Sequence, residues 1–162
     1  MRKHLCIAAV LFATLGAASA DPPSFKDGLA AYDAKQYQVA YWSWITLADQ
    51  GDAKAQWGVG HLLHAGLGVP KDAAKGAGYL QRSAEQGVPL ALHELGVMNA
   101  SGDGVLQSAT LAYVYFELAV ERGMDEGQGD ATLLKSLLDA DELRDAEQQL
   151  VGWRSTLNLP AR

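Results

Sequence analysis

One cysteine, Cys6, is all that this 162-residue chain contains, and it lies in the opening apolar stretch. Once that stretch is set aside, no disulfide, no thiol nucleophile and no cysteine-ligated metal is available. Long hydrophobic runs are also scarce. After Leu5–Gly16 no segment approaches the ~20 apolar residues of a membrane-spanning helix. Nucleophile signatures are missing, both Gly-x-Ser-x-Gly and Ser-x-x-Lys. The pair His93-Glu94 opens like the zinc-protease motif, but Val97 stands where its second histidine would be. The loops Gly66-Leu-Gly68 and Gly102-Asp-Gly104 lack the Lys-Ser/Thr ending of a phosphate-binding loop and read as turns. Positive charge is short, with 13 Lys and Arg against 19 Asp and Glu, a formal −6. Such a balance disfavours nucleic acid and anionic lipid.

The first twenty residues read as a cleavable export signal. Arg2, Lys3 and His4 form a basic start, Leu5–Gly16 is nearly all apolar, and Ala18-Ser19-Ala20 is a small-x-small cleavage site. Cys6 is misplaced for a lipid anchor, which would sit at the end of the apolar run. The expected mature chain starts at Asp21 in the periplasm or outside the cell, with Pro22-Pro23 as a stiff leader over residues 21–24. Losing Arg2 and Lys3 shifts the formal charge from −6 to −8.

What is present is a repeat. Gly51, Gly87 and Gly123 recur every 36 residues. The units 52–87 and 88–123 align without a gap, matching at Ala55/Ala91, Gly60/Gly96, Gly66/Gly102, Gly68/Gly104, Val69/Val105 and Tyr79/Tyr115. A fixed period of this length marks a solenoid. Each unit reads as an antiparallel helix pair: Asp52 caps a helix to Ala65, Asp72 caps 73–86, Pro89 opens a helix to Ser101 and Ser108 caps 109–122. Residues 25–51 supply an earlier pair, 25–34 and 37–50. Gly51, Gly66, Gly68, Gly87, Gly102, Gly104 and Gly123 are assigned to turns, where glycine enters the left-handed region freely. After Gly123 the period fails. Gly127 and Gly129 are expected to interrupt the next helix, leaving 131–138. Asp139 and Glu142 have capping-box spacing before a helix to Thr156. Residues 124–156 thus form a terminal cap, and 157–162 a tail. The expected fold is an all-α, right-handed α-α superhelix.

At these residues the chain resembles the Sel1-like repeat family, relatives of the tetratricopeptide repeats. The resemblance rests on Ala55, Val59-Gly60, Gly66-x-Gly68-Val69, Tyr79-Leu80 and Ala84-Glu-Gln-Gly87. It recurs at Ala91, Leu95-Gly96, Gly102-x-Gly104-Val105, Tyr115-Phe116 and Gly123. Departures are Leu63 and Asn99 in place of tyrosine, and Gly76 in place of alanine, which are expected to loosen packing locally. The resemblance implies an adaptor or scaffold without enzymatic activity or cofactor, and a protein or peptide partner. Cysteine-rich secreted relatives are described as binding β-lactams; their cysteines are missing here. An immunity protein against a toxin and a small envelope enzyme, β-lactam-acting or metal-dependent, are the alternatives.

Trp57, His61 and His64 fall at i, i+4 and i+7, one stripe of one helix. His93, Val97 and Ala100 are their counterparts in the next unit. In similar solenoids such first-helix positions line the concave face. The stripe reads as a docking surface with Trp57 as anchor and with histidines that add a charge switch. The competing reading puts Trp57 in the seam between helix pairs and the histidines in solvent. No metal site is assigned, because a third ligand beside His61 and His64 would have to come from another repeat. The chain is expected to be a monomer. Tyr41, Trp42 and Tyr113 form a second candidate patch on the convex side.

Overall fold

The computed structural model describes residues 24–160; the expected signal and its cleavage point lie outside the described residues. Among the described residues there are eight α-helices, one short 3-10 turn and no strand. Ser24 and Asp27 form a reciprocal capping box that starts α1 (Phe25–Asp33), and α2 (Tyr37–Asp49) returns antiparallel. Asp52 accepts the backbone N–H of Ala55 at 2.8 Å and opens α3 (Ala53–Ala65). Asp72 does the same for α4 (Ala73–Glu85), and Ser108 for α6 (Ala109–Glu121). Between these, α5 (Pro89–Ser101) begins at proline, which has no N–H to leave unpaired. Each such cap contributes about 1 kcal/mol. The expected ends at 34, 50, 86 and 122 fall one residue late, because Ala34, Gln50, Gln86 and Arg122 are the capping residues themselves.

From α1 to α6 each helix packs on its chain neighbours, α3 also touches α5, and α7 and α8 both pack on α6, so the pairs α1–α2, α3–α4 and α5–α6 stack as a solenoid. Tryptophan 44 fills the first junction. It is fully buried, stacks on Phe25 at 5.4 Å and donates its indole N–H to the Phe25 carbonyl at 3.0 Å. A side chain at Gly28 or Gly58 would overlap its indole. Later junctions are filled by Leu80, Leu92, Met98, Val114, Phe116 and Leu118. Equivalent tyrosines bond back to the preceding second helix: Tyr79 to Asp49 at 2.9 Å and Tyr115 to Gln81 at 2.8 Å.

Two expectations about packing are corrected. Gly76 does not loosen the α3–α4 pair. A Cβ there would lie 2.9 Å from the Gly60 carbonyl oxygen and 3.0 Å from the His64 nitrogen, so glycine permits the close crossing of the two backbones. Leu63 and Asn99 are both buried, and Asn99 donates to the Leu95 carbonyl at 2.8 Å. In the C-terminal region a 3-10 turn (Asp125–Gly127) leads directly into α7 (Gln128–Leu137). The helix therefore starts three residues before the expected Ala131 and contains Gly129. Gly127 is buried under α6, where a Cβ would sit 3.4 Å from the Phe116 carbonyl oxygen. Asp139 and Glu142 form a capping box at the start of α8 (Ala140–Thr156). The α8 helix covers the end of the stack through Ala146, Leu150 and Trp153.

Candidate functional site

The first helices α3 and α5 lie side by side and leave a groove between them. A cavity of about 470 Å³ there is lined by Trp57, His61, His64, Leu90, His93, Glu94 and Val97, with Lys71 at its edge. Of the sequence-predicted stripe, the structure brings Trp57, His61, His64, His93 and Val97 together here. Ala100 lines a second cavity, about 360 Å³, with Phe116, Asp130, Leu133 and Leu134 of the following elements. Val97 belongs to both, so the two cavities continue along one face.

Trp57 lies both against the core and in the groove lining. Its ring is half-buried and packs against the core, 6.5 Å from Trp44, and its outer part stacks on His61 at 5.9 Å. Leu90 and Val97 are more open, at 42% and 41% exposure, on the α5 wall.

The histidines are not free in solvent. His61 Nδ1 lies 3.1 Å and His64 Nδ1 2.9 Å from the same Glu94 oxygen. His61 Nε2 meets the Tyr32 hydroxyl at 3.0 Å, and His64 Nε2 meets Asp103 at 3.2 Å. Lys71 donates to the same Asp103 oxygen at 2.7 Å. One polar chain thus runs from α1 through α3 and α5 to the two glycine loops. The Glu94 hydrogen bond raises the His61 pKa against the opposing effect of burial. Burial pushes the Glu94 carboxyl up, but bonds and charges from His61 and His64 outweigh it and hold it below its ordinary range. His93 stands apart, edge-on to Phe116 at 5.2 Å, with no hydrogen bond among the described residues.

Glu94, Lys71 and Asp103 escaped the sequence reading. In the sequence Glu94 stands out only as part of a truncated protease motif. Its offsets of 33 and 30 residues from His61 and His64 fall about one and about two helical turns short of the repeat length, the signal that could have found it. Among the described residues no group of three or more His, Cys, Asp or Glu has the arrangement to hold a metal. No described helix is long and apolar enough to cross a membrane. The convex patch is corrected. Tyr113 is buried at 3% exposure, whereas Trp42 is 65% exposed with Tyr41 edge-on to it at 5.4 Å. Another cavity of about 470 Å³ lies between α4 and α8, beside Glu85, Gln149 and Trp153. Its lining holds no histidine and one charged side chain, Glu85, so it offers less recognition chemistry than the α3–α5 groove.

Comparison with known proteins places this geometry. The Sel1 repeat family model matches residues 53–88 and 89–124. The crystal structure of a protective antigen of uropathogenic Escherichia coli strains, displaying an SLR fold, superposes with TM-score 0.77 at 24% identity, over 85% of this chain and 32% of that one. A Sel1 repeat protein from Oxalobacter formigenes gives TM-score 0.67 at 25% identity, over 83% of this chain and 54% of that one. The chain therefore spans about a third and about half of the lengths of these two structures. No curated protein is significantly similar in sequence. Proteins built of such repeats generally mediate protein–protein interactions. With two matched repeats inside a stack of helix pairs that superposes on both solved structures, this chain carries Sel1 repeats in an α-solenoid of the SLR fold.

Proposed function

We propose that the chain is a non-enzymatic adaptor, exported to the periplasm or beyond, that docks one protein or peptide partner in the groove across α3 and α5. The observation that carries this is the groove itself. It is preformed, continuous between repeats, and offers the open apolar surfaces of Leu90 and Val97 beside the half-buried Trp57. Interface anchors are enriched in tryptophan seated at such positions. The nucleophile and ligand patterns of an envelope enzyme are absent from the sequence, which favours binding over catalysis. Export rests on the order of basic, apolar and small residues in the first twenty positions.

Trp57→Ala is a poor probe, because the indole also packs on the core. Photo-crosslinking is cleaner. A photoreactive residue at Val97 or Leu90, in cells expressing the full chain, should capture a discrete partner. The same residue at Leu106, 90% exposed, or at Val151, 66% exposed and on α8, should not. Equal capture from all four positions, or from none, would remove the groove as the docking face.

A further inference from the structure

The charge lining the groove depends on protons more than on fixed ions. All three histidines among the described residues line it. His61, His64 and Lys71 face two carboxylates, Glu94 and Asp103. One lysine and three histidines against two carboxylates give a formal −1 with neutral imidazoles and +2 with three imidazoliums. This is a local reversal on a chain whose formal charge is −6.

The hydrogen-bond geometry sets which histidine is most constrained. A carboxylate only accepts. His64 faces Glu94 with Nδ1 and Asp103 with Nε2, so it makes both bonds only as an imidazolium. His61 faces Glu94 with Nδ1 and the Tyr32 hydroxyl with Nε2. A hydroxyl can donate or accept, so His61 keeps both bonds in either state. Loss of a proton from His64 therefore breaks one tie between α3 and either α5 or the 102–104 loop. The remaining groups facing the network are Tyr32 from α1 and Lys71 from the 66–72 loop. His93, on the α5 wall, has Phe116 beside it and no hydrogen-bond partner among the described residues, which leaves its ring N–H for a bound group.

We propose that this groove takes a peptide segment presenting a carboxylate side chain beside a large apolar one, and holds it more tightly as the pH falls. The apolar side chain rests on Trp57, Leu90 and Val97. The carboxylate faces His93 and the protonated network. Charge complementarity selects the sign: once the histidines are protonated, an anionic segment is attracted and a basic one repelled. The inference rests on the docking reading above.

Nitrogen-15 NMR of the imidazoles in the purified full chain needs no partner. At about pH 6, near the ordinary histidine range, both ring nitrogens of His61 should be protonated, because its hydrogen bond to Glu94 favours the charged ring; a single-proton tautomer there would overturn the charge assignment. The second measurement is selection of phage-displayed random peptides on the full chain at about pH 5.5 and about pH 7.5. The acid selection should enrich Asp or Glu next to Leu, Phe or Trp. The enriched peptides should bind at least about fivefold tighter at the lower pH, since one linked proton allows up to tenfold per pH unit. His61→Gln should flatten that dependence with helicity unchanged, and Leu90→Asp should abolish binding at both pH values. Enrichment of basic or uncharged peptides, or equal affinity at both pH values, would overturn the inference. Leu90→Asp-sensitive binding that ignores pH removes this inference alone, whereas peptide binding untouched by Leu90→Asp removes the docking reading with it.

Discussion

At the scale of single residues, glycine does two separable jobs in this chain. Gly51 and Gly123 have φ near +99° and +92° with nothing within 4 Å of a would-be Cβ. Gly104 has φ +77°, and a Cβ there would come 2.7 Å from the Ala73 side chain and carbonyl oxygen at the start of the preceding second helix. Gly123→Ala should therefore cost only the left-handed penalty, about 1–2 kcal/mol, and Gly104→Ala more, about 3 kcal/mol or above. Urea denaturation of the two variants checks the order; equal costs would mean the close approach is relieved without strain. The His61–Glu94 pair makes a pH prediction. His61 is raised from an ordinary 6.5, so its contribution is complete below about 6.5 and is lost as pH rises through its folded value. Glu94 is lowered from 4.5, so its contribution is present above about 4.5 and is lost as pH falls through its folded value. Stability from the pair is greatest between those values. Denaturation midpoints should fall from about pH 6 toward pH 9, and Glu94→Gln should flatten that fall. Parallel profiles for the two proteins would show that the network carries no stability.

At the scale of elements, the caps and turn glycines made the helices of the two matched repeats readable to within a residue. The last third was harder, because α7 begins without a side-chain cap and contains a glycine. Its start is set by Gly127 tucking under α6, a contact between elements that no local pattern encodes. The α8 cap is held by a partly buried ion pair. Arg154 donates to Glu121 of α6 at 2.6 Å and 3.1 Å, and Glu121 is only 4% exposed. Removing one member strands the other's charge. Glu121→Ala should cost about 3 kcal/mol and should speed hydrogen exchange in α8 before α3–α5. Exchange that rises uniformly along the chain would instead make α8 an integral part of one cooperative unit.

At the scale of the whole molecule, stacking is what turns repeated residues into a surface. Positions 36 residues apart become neighbours, so Trp57 and His93, and His61 and Val97, share one groove. A fold stabilised by such junctions should not depend on redox state, because a single cysteine, Cys6, cannot form a disulfide within the chain. Thermal melts followed by helical circular dichroism should coincide with and without reductant; a lowered midpoint under reduction would point to an intermolecular disulfide through Cys6. If the export reading holds, N-terminal sequencing of secreted or periplasmic protein should begin at or next to Asp21, and an intact Met1 would refute it.

The repeat period, the helix-pair architecture, the turn glycines and the stripe that faces the groove are all legible along the chain. Each is written locally, as a cap, a left-handed glycine or a helical spacing. The chemistry of the stripe arises on folding. Glu94 and Asp103 reach His61 and His64 across 30 to 39 residues, and Trp57 divides its ring between core and groove. Tyr113 went inside while Trp42 stayed out. These outcomes depend on how far neighbouring repeats rotate and how closely they pack, quantities set by the volumes of Trp44, Gly60 and Gly76 at the junctions and carried by no single stretch of chain.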